Sequence, residues 1–192
     1  MVQILHRFSK KKGGMISLNP ELFQLPISEI KKFGNENLIY GSLAPKGLRR
    51  IVETINKTIH DRACIGLDLG CGDGELIYHL QTMMPGSAWS GVEISEHRVS
   101  LQKRDVAIWQ GDMLEEDLRS YTVLHADNLC LVNSVAEALE KKIAREFSGL
   151  YISYRTAKFS EFLRVATLVT TVMTETTWMK HPIHFYLVNE LF

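Results

Sequence analysis

Residues 68–74 of this chain read Asp68-Leu69-Gly70-Cys71-Gly72-Asp73-Gly74, and this glycine-rich segment is the strongest indication of the fold. It follows a short apolar run at residues 63–69, which predicts a buried strand. Residues 74–83 carry apolar side chains at helical spacing, which predicts a helix. Glycines between a strand and a helix permit a tight turn and let a ligand lie against bare backbone. The stretch therefore predicts a ligand-binding turn at the carboxyl end of a strand.

Further strands and helices alternate on both sides of this turn. The periodicity predicts helices over residues 46–59, 74–83, 95–104 and 135–147, and strands over residues 63–69, 88–92, 106–110, 122–126 and 150–154. Such alternation is typical of parallel βαβ units. Two later apolar segments, residues 166–178 and 183–188, leave little room for a helix and predict an antiparallel edge hairpin. The sequence thus predicts an α/β fold with a Rossmann-like, seven-stranded, mostly parallel sheet and helices on both faces.

The composition fits one globular domain inside the cell. The chain has 192 residues, 45% of them hydrophobic, and a formal net charge of +0. Its three cysteines lack metal-ligand spacing, so we expect neither a disulfide framework nor a metal site. No apolar run is long enough to span a bilayer, so we expect an intracellular protein without membrane contact. The basic cluster Lys10, Lys11 and Lys12 is a candidate contact for nucleic acid.

An acidic residue marks the end of each of the first three predicted strands. Asp68 precedes the glycines, Glu93 ends the second strand, and Asp112 closes the third. Because the carboxyl ends of parallel strands meet at one edge of the sheet, we expect these carboxylates to surround one ligand. The glycine spacing is G-x-G-x-G, whereas dinucleotide binders have G-x-G-x-x-G, which favours a ligand without a pyrophosphate.

S-adenosylmethionine suits this set of side chains. Asp68 is placed to bind the methionine ammonium group, and Glu93 is placed to accept hydrogen bonds from the ribose hydroxyls. Asp112 is placed to accept from the adenine amine, with Met113 covering the base. A turn or a helix start also explains each acid taken singly, and it is the ordered set of three that favours the ligand.

The fourth predicted strand is followed by Asp127 and Asn128. A polar pair here is placed to orient an incoming amine, through side-chain or backbone oxygens. A lysine is mostly protonated at neutral pH, and a nearby carboxylate favours that charged form. Asp127 therefore leaves open whether the methyl acceptor is a lysine or another nucleophile.

The ordered segments resemble class I methyltransferases, and among these the Dot family of non-SET histone lysine methyltransferases. The matching segments are residues 40–42 (YGS), 68–75 (DLGCGDGE), 91–93 (GVE), 111–113 (GDM) and 178–186 (WMKHPIHFY). They stand where that family has YGE, DLGSGVGQ, GVE, GDF and WTGKPVSYY. The resemblance runs from about residue 38 to the end. We therefore interpret residues 1–37 as a basic N-terminal arm with a short helical segment, and residues 38–192 as the catalytic domain.

The resemblance implies three sets of site residues. The cofactor-binding set is Tyr40, Asp68, Gly70, Gly72, Gly74, Glu75, Glu93, Asp112 and Met113. The implied methyl donor is S-adenosyl-L-methionine, and the implied product is S-adenosyl-L-homocysteine. The catalytic set is Asp127, Asn128, Phe185 and Tyr186, and the lysine channel adds Leu131 and Trp178.

Departures from the family lie on the substrate side. The family's Asn-Asn-Phe is residues 127–129 (DNL) here, Leu131 replaces a channel phenylalanine, and Phe185 replaces a channel tyrosine. The resemblance implies a histone lysine of the nucleosome as acceptor and hence a nuclear location, in a host nucleus if the source is a virus or pathogen. The residues leave two alternatives open. One is a class I methyltransferase for a non-histone protein, a small amine or RNA, and the other is a catalytically inactive binding module.

Overall fold

The computed structural model describes residues 19–60, 63–177 and 179–189. Within them the strands are β1 (Ile65–Leu69), β2 (Ala88–Glu93), β3 (Ala107–Gln110), β4 (Val123–Ala126), β5 (Gly149–Ser153), β6 (Ala166–Glu175) and β7 (Lys180–Val188). These seven strands form one sheet in the order β3-β2-β1-β4-β5-β7-β6. Strands β1 to β5 are parallel to one another, whereas β7 is antiparallel to both β5 and β6. This arrangement confirms the predicted fold class, including the antiparallel edge.

Helices cover both faces of the sheet. In the described residues they are α1 (Ile27–Phe33), α2 (Pro45–Ile59), α3 (Glu75–Met83), α4 (Glu96–Ser100), α5 (Asn133–Glu146) and α6 (Ser160–Val165). Two 3-10 turns, Pro20–Phe23 and Glu36–Leu38, flank α1. None of the helices in the part of the chain that the structure describes is long and apolar enough to cross a membrane.

The helix predicted over residues 95–104 is shorter in the structure. Helix α4 ends at Ser100, with Leu101 as its C-terminal cap. Gln102 then donates from Nε2 to the carbonyl oxygens of Arg104 and Val106, at 2.8 and 2.6 Å. These bonds hold the residues after α4 in a loop, in which the Val106 amide also donates to the Arg104 carbonyl at 3.0 Å.

Two hydrophobic cores lie on opposite faces of the sheet. One packs α2 and α3 against the sheet and includes Ile51, Ile55 and Phe185. The other packs α5 and α6 and includes Phe162 and Tyr186. Phe185 and Tyr186 are consecutive in β7 and face opposite sides, because side chains alternate along a strand.

The sheet reverses its strand order between β1 and β4. The chain leaves β1 toward β2 and β3 on one side, and β4 lies on the other side of β1. Open α/β sheets bind ligands in the crevice at this point, outside the carboxyl ends of the strands. A ligand site is therefore expected at the turns after β1, β2, β3 and β4.

Candidate functional site

The glycine turn after β1 has a backbone that non-glycine residues rarely adopt. Gly70 has φ +90° and Gly72 has φ +60°. A Cβ built on Gly72 would lie 2.4 Å from Cε2 of Tyr40, so the Tyr40 ring packs directly against the bare backbone. A Cβ on Gly70 would meet nothing within 4 Å, since this residue borders open space. The turn thus holds Tyr40 on one side and faces a cavity on the other.

Glu93, at the end of β2, holds the glycine turn in place. Its Oε2 accepts a hydrogen bond from the Gly72 amide at 2.9 Å, and its Oε1 accepts from the Ser95 amide at 3.0 Å. Arg98 Nη1 lies 3.7 Å from Oε1, and both side chains are buried. An ionised carboxylate has about four acceptor positions, so Glu93 keeps capacity for a ligand beside these contacts.

The main cavity lies above the carboxyl ends of β1 to β4 and has a volume of about 280 Å³. Gly70 and Glu93 form part of its floor, and Asp112 with Met113 forms one wall. The opposite wall contains Asp127, Asn128 and Leu131. The sequence predicted all seven of these residues, and the structure brings them together around one space.

A roof over the main cavity comes from the segment that precedes α2. We call residues 20–41 the roof segment. Its cavity-lining residues are Lys32, Phe33, Glu36, Asn37, Ile39, Tyr40 and Gly41. Of these, only Tyr40 was named as a site residue from the sequence, because the short helical elements here have no periodicity long enough to reveal a buried face.

The roof segment is attached to α4 by polar contacts, which are partly buried at Glu29 and buried at Arg98. Ser95 Oγ donates to Glu29 Oε2 at 2.5 Å, and the His97 amide donates to Glu29 Oε1 at 3.1 Å. Arg98 Nε and Nη2 donate to the carbonyl oxygens of Leu22 and Leu38, at 3.1 and 2.5 Å. The Arg98 guanidinium also lies 5.1 Å from the ring centroid of Tyr40. Arg98 therefore connects the roof to Glu93, and no motif in the sequence identified it.

A second, small cavity of about 20 Å³ lies beside the glycine turn, and Tyr40 and Asp127 border both cavities. It contains a buried chain of three side chains. Asp68 Oδ1 lies 2.7 Å from His125 Nδ1, and His125 Nε2 lies 3.2 Å from the Tyr154 hydroxyl. With the carboxylate as acceptor, Nδ1 carries the proton and Nε2 accepts from Tyr154. Burial, together with the nearby Asp127 and Asp68, raises the pKa of Tyr154 well above 10, so its phenol is neutral.

Sequence reasoning missed His125 and Tyr154. The only sequence signal for His125 is a polar residue within the apolar run of β4, where every position is buried. Tyr154 directly follows β5 and carries no motif. Their roles depend on contacts with residues 29 or more positions away in the chain.

Asp127 and Asn128 follow β4 but differ in their environment. Burial raises the pKa of Asp127, although its hydrogen bond with the Leu129 backbone and the nearby His125 act in the opposite direction. The Asn128 side chain is instead fully used within the protein. Its Nδ2 donates to Tyr151 and Ser153, and its Oδ1 accepts from the backbone amides of residues 154 and 155. Only the backbone of Asn128 is thus left to contact a substrate.

Several predicted site residues lie elsewhere. Gly72 and Gly74 shape the turn without lining a described cavity. Glu75 lies on α3 and pairs with Arg104 at 3.0 Å, away from the described cavities. The resemblance placed Phe185 and Tyr186 in the lysine channel, and this prediction is wrong. The two side chains lie in the two hydrophobic cores, because they alternate along β7, and neither lines the main cavity. Trp178 and the cluster Lys10, Lys11 and Lys12 lie outside the described residues.

Comparisons with known proteins agree with this fold. The family model described as methionine biosynthesis protein MetW matches residues 49–147. Curated proteins give no significant match. The magnesium protoporphyrin IX methyltransferase from Synechocystis PCC 6803, with bound S-adenosylmethionine, has a similar structure. Its TM-score is 0.59 at 16% identity, and 74% of this chain covers 78% of that chain.

A second similar structure is the RNA methyltransferase from Salinibacter ruber, in complex with S-adenosyl-L-homocysteine. Its TM-score is 0.54 at 20% identity, and 75% of this chain covers 94% of that chain. At these identities the likeness concerns the fold, which is that of class I S-adenosylmethionine-dependent methyltransferases.

Proposed function

This chain belongs to the MetW family, and from that membership and its fold we propose that it is an S-adenosylmethionine-dependent methyltransferase acting on an acceptor other than histone lysine. The observation that carries this proposal is the main cavity. Glu93 and Asp112 line it from the ends of β2 and β3, and Gly70 presents its bare backbone from the turn after β1. Asp68 borders the adjoining small cavity.

The residues present fit S-adenosylmethionine. The lining combines four carboxylates, those of Glu36, Glu93, Asp112 and Asp127, with apolar side chains such as Val92, Ile94 and Met113. An adenosine with a hydroxylated ribose requires such a mixture of polar and apolar groups. An added side chain at Gly70 would point into free space next to the cavity, and this space is available to a ligand. The cavity volume of about 280 Å³ is close to the lower end of the usual range for small-molecule sites, roughly 300–1,000 Å³.

Each part of the chain then has a defined task. Glu93 accepts from the ribose hydroxyls, Asp112 accepts from the adenine amine, and Met113 covers the base. Asp68, held by His125, lies at the methionine end. Bound S-adenosylmethionine supplies a methyl group on a positively charged sulfur, which departs readily. The protein's remaining task is to hold the acceptor in line and to keep water out, and the roof segment closes the cavity for that purpose.

Three observations support an acceptor other than histone lysine. Phe185 and Tyr186, which the Dot resemblance places in the lysine channel, are buried in the cores. The side chain of Asn128 is bound within the protein. The description of the MetW family refers to methionine biosynthesis, which concerns small molecules and therefore favours a small acceptor over a nucleosome.

Isothermal titration of the full chain tests the cofactor assignment. We expect saturable binding of S-adenosylmethionine and S-adenosyl-L-homocysteine, and about tenfold weaker binding in Glu93→Gln, which retains the size but loses the charge. The matched control is Glu115→Gln. Glu115 is exposed and lines none of the described cavities, so its affinity should equal that of the unmodified chain. The absence of binding to both compounds would refute the proposal.

Methyl transfer from a radiolabelled donor tests the acceptor. The chain is incubated separately with a small-molecule extract, total RNA, soluble proteins and nucleosomes. We expect labelling outside the nucleosome sample, with the small-molecule extract as the favoured fraction. Labelled histone as the main product would refute the proposed acceptor, and no label in any fraction together with normal cofactor binding would favour an inactive binding module.

A further inference from the structure

An outer groove of about 350 Å³ lies next to the two cavities described above. It is lined by Leu129, Leu131, Tyr154, Arg155, Thr156, Lys158, His181, Pro182 and His184. Leu131 also lines the main cavity, and Tyr154 also lines the small one. The groove therefore adjoins the region where methyl transfer would take place.

The lining of the outer groove is basic. Arg155 and Lys158 carry positive charge, His181 and His184 are titratable, and the lining contains no acidic side chain. His184 is bound through both ring nitrogens to Thr156 and Thr171, and burial lowers its pKa, so it is neutral at neutral pH. The fixed charge of the groove comes from Arg155 and Lys158.

Arg155 is held in place by hydrogen bonds to neutral acceptors. Its Nη1 donates to the Leu131 carbonyl at 2.5 Å, and its Nη2 donates to Asn133 Oδ1 at 2.6 Å. Both acceptors are neutral, and among the described residues no carboxylate forms an ion pair with Arg155. The guanidinium has five N–H donors, so others remain for a ligand.

Lys158 also has no ion-pair partner among the residues that the structure describes. Its side chain is exposed, and the ion pairs of the described residues do not include it. The buried carboxylate of Glu140 interacts electrostatically with Arg155, but it does not line the groove. Two cations that share a groove repel each other, and an anion placed between them offsets that repulsion. Cations of this kind are typical of sites that bind carboxylates and phosphates.

We propose that the outer groove binds the carboxylate or phosphate group of a small acceptor molecule, with Arg155 and Lys158 as the anchors. This inference rests on the proposed methyltransferase function and adds the chemical class of its substrate. The groove volume is that of a small-molecule site rather than an extended surface. An anchored anionic end places the rest of the molecule toward Leu131, which lines both the groove and the main cavity, and toward Asp127, which lines both the main and the small cavity.

The test uses the full chain saturated with S-adenosyl-L-homocysteine at low ionic strength. Inorganic phosphate and citrate are titrated separately while backbone amide resonances are followed by NMR. We expect saturable shifts at residues 129–131 and 154–158 with at least one of the two anions, and which of them binds more tightly identifies the preferred group. Lys158→Glu should weaken that binding about tenfold, because it replaces an attraction by a repulsion.

The matched control is Lys57→Glu on α2. Lys57 is exposed and lines none of the described cavities, so this variant should bind the anions like the unmodified chain. Equal weakening in both variants, or no saturable shifts with either anion, would overturn the proposal. Much tighter, strongly salt-dependent binding of a ten-nucleotide RNA at the same residues would overturn it in favour of an RNA substrate.

The experiment distinguishes an error in the anion-binding proposal from an error in the proposed methyltransferase function. Cofactor affinity is measured by titration on the same samples before the anions are added. Normal cofactor binding without anion binding refutes the groove alone. Absence of cofactor binding refutes the methyltransferase function and, with it, the inference that rests on it.

Discussion

Asp68 in β1 and His125 in β4 are register partners across the point where the strand order reverses, and their side chains form a hydrogen bond of 2.7 Å from Nδ1 to Oδ1. Both residues are buried, at 3% and 2% exposure. The bond fixes the orientation of the first carboxylate of the site and links the two strands whose ends frame the crevice. It also leaves Asp68 Oδ2 for other partners.

Replacement of His125 by leucine should destabilise the fold. Leucine has a similar size but leaves a buried carboxylate oxygen without its donor, so we expect the free energy of unfolding to fall by about 1–3 kcal/mol. Urea denaturation measures this change. Arg119→Ala is the control, since it removes an exposed ion pair with Asp117, with 69% and 68% of the side chains accessible. Such pairs contribute about 0–1 kcal/mol, and equal effects of the two variants would contradict the structural role of His125.

Replacement of Glu29 by alanine should loosen the roof segment. The variant removes both bonds from Glu29 to α4, so the roof opens more often and S-adenosyl-L-homocysteine should dissociate about tenfold faster. Stopped-flow dissociation measures the rate, and limited proteolysis within residues 20–41 reports the opening without any ligand. Glu21→Ala is the control, because the exposed Glu21 side chain has no hydrogen bond or ion pair in the described part of the chain. A roof as resistant to protease as in the control would count against this attachment.

Replacement of Gly72 by alanine should impair both stability and cofactor binding. The new Cβ would meet the Tyr40 ring, in addition to the strain of a left-handed φ of +60°. Gly86→Ala is the matched control, since Gly86 has φ +92° but open space around its Cβ. We expect thermal unfolding to show a loss of about 1 kcal/mol in the control, from backbone strain alone, and a clearly larger loss in Gly72→Ala. Similar losses of stability in the two variants would mean that the Tyr40 ring moves aside at no cost in free energy.

Replacement of Asp127 by asparagine should stabilise the protein at neutral pH. Burial raises the pKa of Asp127 above its unfolded value, so the folded protein binds this proton more tightly than the unfolded chain. The ionised side chain is therefore unfavourable above the raised pKa, and this penalty disappears as the pH falls toward the unfolded value of about 3.9. We expect the variant to melt about 2–4 °C higher than the unmodified chain near neutral pH.

The pH dependence of this difference is the decisive measurement for Asp127. The gap in melting temperature should narrow as the pH is lowered, because both proteins then carry a neutral side chain at this position. Asp117→Asn provides the control, since Asp117 is exposed and its replacement should leave the melting temperature nearly unchanged. A gap that stays constant with pH would show that the stabilisation has another origin.

The amino-acid sequence was sufficient to predict the fold and the residues of the proposed cofactor end of the site. The turn at residues 68–74 and the alternating periods are local features, so they are visible without knowledge of the tertiary structure. Glu93 and Asp112 follow strands that are parallel, and parallel strands bring their carboxyl ends to one edge. Their convergence on the main cavity was therefore predictable once the strand order was understood.

The position of the roof segment and the residues on the acceptor side of the site became known only from the tertiary structure. The roof segment is held over the cavity by contacts of Glu29 with residues of the α4 region that lie more than 60 positions later in the chain. No local sequence pattern encodes such contacts. Phe185 and Tyr186 match a family motif, yet the alternation of β7 directs them into separate cores. His125 becomes a partner of Asp68 only because β4 lies beside β1, and the outer groove forms only because the residues after β5 lie beside β7. Pairing between distant strands and packing between distant helices fixed these features, and these depend on the folded chain as a whole.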